Sequence, residues 1–232
     1  DGYFGSLFSL GSTWPAPFST GDSGCISQSS SNRKQESLFN FSAAISLWSW
    51  ALLGMLHGSP EERLSVVRLS VTALNLVVGC LFVLRRPIVH HGSHRSVYLS
   101  LPSLLVCGLA FRLAPAPQDW PFLAELLFAL AAVSVIVTFC CLGKCFAVLP
   151  AVRDVVVRGP YAVVRHPAYC GEMTLVFACF LAAPSMLTAL PSLAIVPCVI
   201  LRIHAEEAGF KDDSRYIQYR ERVKFRLIPG LW

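Results

Sequence analysis

The stretch "MTLVFACFLAAPSMLTALPSLAIVPCVIL" (Met173–Leu201) runs for 29 residues without a charged side chain. How it is read decides the fold. A single membrane-spanning helix needs about 20 apolar residues, so the run is long for one span and short for two. Pro184, Pro191 and Pro197 interrupt it. With its flanks, Ala168 to Ile203, it can form two short helices that turn near "AAPSMLTALP". Polar residues crowd both ends: "GPYAVVRHPAYCGE" (Gly159–Glu172) before it and "RIHAEE" (Arg202–Glu207) after it. A hairpin brings these two stretches to one membrane face, whereas a single kinked span puts them on opposite faces.

Working outward, the rest of the chain is equally apolar. Hydrophobic residues make up 54% of its 232 residues and charged residues only 14%. Soluble domains carry about 25% charged residues, so this composition points to an integral membrane protein. Leu38–Leu56 is uncharged and long enough for a first span. Leu64–Leu84, with Arg68 near its start, is a second, and Ser96–Ala114, with Arg112 near its end, a third. Trp120–Gly143, with Glu125 one turn in, is a fourth.

Charge placement orients these spans. "RRPIVHHGSHR" (Arg85–Arg95), the segment Lys144–Arg165 and the tail after Arg202 are basic. "PAPQDWP" (Pro115–Pro121) and the turn near Pro184 hold no Lys or Arg. By the positive-inside rule the basic segments are cytosolic. The expectation is an all-α, polytopic membrane bundle of about six membrane segments, the C-terminal helical hairpin included, with both termini and the polar site in the cytosol. Residues 1–37, rich in Ser and Gly, read as a flexible polar arm. Residues 38–141 read as N-terminal transmembrane helices, and 142–232 as a C-terminal functional region. The net charge of +5 reads as basic loops on one membrane face, not as a nucleic-acid surface.

The nine cysteines sit mostly in apolar segments and form no CxxC pair, so neither a disulfide framework nor a zinc site is expected. The cluster His90, His91 and His94 lacks a carboxylate or thiol companion and reads as a basic loop, so no metal is expected. Lys144 beside Cys145 reads as part of a loop leading into the site. The chain starts at Asp1, and no charged n-region leads into an apolar core there, so no signal peptide is expected. GxGxxG, P-loop and GxSxG patterns are absent from the sequence.

The chemistry concentrates around the hairpin. In "RGPY", Gly supplies unusual backbone angles and Pro fixes the next one, so a turn is expected. Pro167 suits the first turn of a helix, which puts Arg165 and His166 at the helix entrance. Tyr169 and Glu172, three residues apart, share a face. The entrance N–H groups and the Arg165 fork suit an anion. Arg202 and Glu206, four apart, meet on one face of the returning helix. Charges at membrane depth are costly and usually functional. Glu207 points elsewhere, in a structural role. Downstream, Tyr216, Tyr219, Val223 and Leu227 recur at helical spacing and predict an amphipathic tail helix. It serves as a surface helix or as a lid.

The ordered set "GPYAVVRHPAYCGE", apolar hairpin, "RIHAEE" and "YIQYRERVKFRLIPGLW" resembles the isoprenylcysteine carboxyl methyltransferase family, which is related to the membrane phospholipid methyltransferases. The resemblance covers roughly Leu142–Trp232, and the "GPY" turn and "LIPGL" ending are similar to bacterial members. It implies a helical membrane bundle with a cytosol-facing pocket for S-adenosyl-L-methionine. It also implies cofactor contacts at Arg153, Asp154, Val155, Val156, Tyr161, Arg165, His166, Pro167, Ala168, Tyr169 and Glu206. Arg202 would meet the substrate carboxylate, with Arg202 and Glu206 as the catalytic pair, and the tail would close over the cofactor. A polar cofactor contact of animal members falls at Phe146 by spacing. The implied reaction is methyl transfer to a lipophilic acceptor that arrives from the bilayer, such as a prenylcysteine-like carboxylate. The ending is also reminiscent of the NADPH-dependent sterol reductases. A non-catalytic membrane scaffold is the third reading.

Overall fold

A computed structural model of the chain describes residues 30–85, 90–91, 94–146, 151–152 and 155–232. Arg153, Asp154 and most of the N-terminal arm lie outside these described residues. Six long helices dominate: α1 (Ser30–Leu56), α3 (Val66–Leu84), α4 (His94–Leu113), α5 (Phe122–Leu142), α6 (Pro167–Ala182) and α7 (Met186–Gly209). A short α2 (Pro60–Leu64) links α1 to α3, and α8 (Ser214–Arg222) follows α7. Two-residue strands β1 (His90–His91) and β2 (Ala151–Val152) pair antiparallel. The ladder ties the α3–α4 connection to the one after α5, so these two basic connections meet at one end of the bundle.

Four helical segments are long and apolar enough to cross a membrane: Lys34–Leu56, Val66–Leu84, Phe122–Cys145 and Met186–Gly209. Tyr98–Leu113 and Pro167–Ala182 are shorter apolar helices. Large apolar side chains on the outside of these helices, such as Leu105, Leu130, Leu193 and Met186, are mostly exposed. A soluble protein could not carry so much apolar surface, whereas a bilayer solvates it. The chain is a multi-pass, all-α membrane protein.

Met173–Leu201 folds as a hairpin. Helix α6 stops at Ala182, and α7 begins at Met186 behind an N-cap at Ser185. The Ser185 hydroxyl accepts the Thr188 N–H, and the Thr188 hydroxyl accepts the Ser185 N–H, so two orphan donors are satisfied reciprocally. Pro184 ends the first helix because the residue before a proline is pushed out of the helical region. Pro191 and Pro197 lie inside α7 and do not break it. Neighbouring helices compensate such prolines in membrane bundles.

Helices α4 and α7, α5 and α6, and α1 and α3 form the main packed pairs. The core runs through Trp120, Phe128, Tyr169, Val176, Ile195 and Val199, which are all buried. Gly171 lets α6 approach α5, since a Cβ there would collide with Val135 Cγ2. Small residues at such crossings are the usual means of close helix contact in membranes.

The tail departs from the sequence expectation. Tyr216 and Tyr219 are buried on α8, but the helix ends at Arg222. The Phe225 and Arg226 carbonyls accept the N–H groups of Arg165 and His166 at 3.0 and 2.9 Å. Leu227 therefore reaches the core beyond the end of the helix and not along its face.

Candidate active site

The hairpin sets the site. Its two polar flanks, the entrance of α6 and the last two turns of α7, face each other at the end of the bundle that carries the basic connections. His166 is the N-cap residue of α6, and Pro167 occupies the first helical position, where its missing N–H costs nothing. The His166 ring stacks on Tyr169, with centroids 5.6 Å apart and planes within 9°. The Tyr169 hydroxyl donates to Glu206 Oε1 from across the hairpin.

Arg202 lies at the centre and is 4% exposed, so its charge must be met within the protein. Its Nη1 donates to Ser103 Oγ on α4 at 2.9 Å and lies 3.5 Å from Glu172 Oε2. Its Nε is 3.8 Å from Glu206 Oε1. The guanidinium carbon sits 4.7 Å from the Tyr169 ring centroid, over the ring. Cys107 on α4 donates its thiol hydrogen to Glu172 Oε1 at 3.2 Å. Arg202 is therefore flanked by two carboxylates, a hydroxyl and an aromatic face.

Glu207 organises a second group. Arg165 Nη1 lies 2.8 Å from Glu207 Oε1, and Arg226 donates through Nη2 to Oε2 at 2.9 Å. His166 Nε2 completes the set at 3.2 Å from Oε1. Arg165 also donates to the Lys224 carbonyl at 3.3 Å. The α6 entrance, read in sequence as an anion cradle, has its Arg165 and His166 N–H groups turned to tail carbonyls and its arginine turned to Glu207. Three arginines (Arg165, Arg202 and Arg226) thus face three glutamates (Glu172, Glu206 and Glu207), and their formal charges cancel.

Around this core, Gly159 opens the "GPY" turn with φ 60°. A Cβ at Gly159 would lie 2.8 Å from Cys141 Sγ, so both backbone and space demand glycine. The turn buries Tyr161, whose carbonyl accepts the Tyr219 hydroxyl at 2.8 Å. Burial, and then the negative charge of Glu206, raise the Tyr161 phenol well above its ordinary pKa. Val155 packs on the Tyr216–Tyr219–Val223 cluster. Cys170 Sγ donates to the Leu227 carbonyl at 3.0 Å, a further tie between α6 and the tail. Pro167 is buried and Ala168 half-buried beside them. Phe146 is fully buried and packs edge-on to Phe82 and Phe139, away from the polar cluster.

Several of these partners escaped the sequence reading. Ser103 and Cys107 come from α4, a helix that read only as a generic span. The available signal was the spacing of Ser100, Ser103 and Cys107, which lines one helical face with small polar groups in an apolar segment. Arg226 escaped because its meeting with Glu207 depends on the path that the tail takes after α8 ends. His90 and His91 are placed only as backbone in β1.

Glu206 has the chemistry that a cationic or hydroxyl-bearing ligand requires. It keeps 21% of its side chain exposed, the most among the six charged groups apart from Arg226. Its Oε2 lies 3.8 Å from His166 Nδ1, beyond hydrogen-bond distance. A carboxylate oxygen with spare acceptor capacity thus sits beside a stacked aromatic pair.

Residues 120–212, from the start of α5 past the end of α7, match the phospholipid methyltransferase family model. The matched stretch includes both polar flanks of the hairpin, Gly159–Glu172 and Arg202–Glu207, and this part of the chain is similar to that family. No curated protein and no solved structure matches the chain.

Proposed function

We propose, taking residues 120–212 as a phospholipid methyltransferase segment, that the protein methylates a lipophilic acceptor and uses S-adenosyl-L-methionine as donor. The observation that carries this reading is the meeting of His166 and Tyr169 with Arg202 and Glu206 across the hairpin. S-adenosyl-L-methionine supplies an activated methyl group on a cationic sulfonium. Glu206 Oε2 suits a hydroxyl or cationic part of such a ligand, and the His166–Tyr169 stack and Tyr161 suit its ring and polar edges. Arg165 contributes indirectly, by holding Glu207 and the tail. Val155, Val156, Pro167 and Ala168 supply the apolar and backbone wall. Because the donor is already activated, the protein's part is orientation and electrostatics.

The acceptor meets the Arg202–Glu206 pair. A prenylcysteine-like carboxylate is the reading that follows from Arg202. It must compete with Glu172, whose oxygen lies 3.5 Å from Nη1. The two carboxylates flanking Arg202 favour a second acceptor, a lipid amine, which Glu172 or Glu206 can hold and relieve of a proton. The basic connections at that end support a cytosolic placement of the site and of both termini.

The deciding experiment is labelled-methyl transfer with purified protein over membrane lipid extracts, phosphatidylethanolamine and farnesylcysteine analogues. Label is expected in a lipid product. Tight NADPH binding with no S-adenosyl-L-methionine binding would overturn the reading in favour of a reductase. Cofactor binding that Glu206→Ala and His166→Ala leave unchanged would favour a scaffold.

A further inference from the structure

A cavity of about 800 Å³ lies at the other end of the bundle. It is bounded by the C-terminal ends of α1 and α4, the first turns of α3, and the connection into α5. Helix α5 measures the separation. Trp120, just ahead of α5, lines the cavity, while Cys141 at the far end of α5 touches the Gly159 turn beside the glutamate–arginine cluster. The 21 residues of α5 put about 30 Å between the two sites at 1.5 Å per residue.

The cavity is amphipathic. Trp50, Val71, Phe111 and Trp120 give it apolar walls, and Arg68, Arg112 and His57 give it a cationic side. Among the described residues no carboxylate lines it. Glu62 on α2 is held by the Ser59 N–H and by Gln118. Among the described residues no ion pair engages Arg68 or Arg112. Arg68 Nε is buried with no hydrogen-bond partner. The Arg68 guanidinium rests on Gly54, with Nη1 3.5 Å from where a Cβ would stand. An arginine that merely snorkels extends to water, whereas Arg68 is half-buried against α1. Both arginines lie within a turn of a helix end, and the ends of membrane-spanning helices lie at the membrane–water interface. Trp50 is 68% exposed on the outer surface of α1, so the wall continues onto lipid-facing surface.

We propose that this cavity binds one anionic phospholipid, with its phosphate on Arg68 and Arg112 and its acyl chains along the Trp50 and Phe111 walls. Charge complementarity selects the headgroup: two arginines without a carboxylate in a partly apolar site are stabilised by an anion with charge-assisted hydrogen bonds. The apolar walls select a lipid over a free phosphate compound. This site does not depend on the methyl-transfer reading, because it lies at the other end of α5.

Native mass spectrometry of the full chain in detergent, reloaded with phosphatidylglycerol or with phosphatidylcholine, tests the proposal. Phosphatidylglycerol is expected to be retained as a single adduct and phosphatidylcholine to be lost. The double variant Arg68→Gln with Arg112→Gln is expected to weaken retention about tenfold or more. Gly54→Leu crowds the Arg68 side of the cavity while both arginines stay in the sequence and is expected to do the same, which keeps the test open if the double variant fails to fold. Arg63→Gln, on α2 outside the cavity, is expected to leave retention unchanged. Equal retention of the two lipids, or retention unaffected by both the double variant and Gly54→Leu, overturns the proposal. Competition by soluble glycerol 3-phosphate at equal potency overturns the lipid assignment.

Discussion

Glu207 takes three partners at once: Arg165, His166 and Arg226 all lie within 3.2 Å of its oxygens. Removing one partner from such a buried set leaves charges uncompensated, at a typical cost of about 3–5 kcal/mol. Glu207→Gln is therefore expected to lower the thermal unfolding midpoint of the purified protein clearly, as scanning fluorimetry would show. Glu206→Gln should behave differently. Its carboxylate is more exposed and less engaged, so stability should change little while S-adenosyl-L-methionine binding falls by about tenfold or more. A calorimetric titration that finds unchanged binding with lost stability would reverse these two roles. At this scale the sequence was only half legible. Arg202 and Glu206 could be paired from their spacing of four, since a helix fixes that geometry. The role of Glu207 was not legible in detail, because its partners lie 41 and 19 residues away in sequence.

At the scale of elements, two contacts decide how the hairpin and tail are seated. Gly171 sits against Val135, a side chain with little freedom to move. Gly171→Ala is expected to destabilise the fold by about 1–3 kcal/mol through overpacking, and Val135→Ala in the same chain should restore much of it. Thermal unfolding of the single and double variants checks this; no loss in Gly171→Ala would show that the contact is slack, and equal loss in both that Val135 is not the opposing group. The tail predicts a pH effect. Burial, and then the charge of Glu207, push the Tyr216 phenol up from 10.0 to about 12. Tyr219 is raised too, by burial and then by Tyr216. A raised folded pKa in an acid means the undocked tail loses its proton first. The docking free energy is thus full below pH 10 and is lost as pH rises through about 12. Hydrogen exchange of α8 should accelerate across that window, and Tyr216→Phe should shift the loss upward.

At the scale of the molecule, the hairpin makes a statement about sidedness. A cysteine introduced at Ser185 and one at Arg220, in a background without native cysteines, should react with an impermeant thiol reagent from opposite sides of a sealed vesicle. A Ser185 position that reacts from neither side would mean a single kinked span with Ser185 buried in the bilayer, and would dissolve the site, since the two polar flanks would then lie on opposite faces. Composition and run length alone determined that the chain is a helical membrane protein, because a bilayer leaves few ways to satisfy backbone polar groups. The "RHPAY" entrance and the "RIHAEE" exit were legible as local chemistry for the same reason that helical spacing is legible: neighbours three or four apart must share a face. Tertiary structure alone decided that Ser103, Cys107 and Glu172 surround Arg202, and that the tail leaves its helix to pair with Arg165 and His166. It also decided that two outer arginines share a cavity. Those arrangements depend on which helix faces pack together, and that is a property of the whole bundle's fit that no local pattern encodes.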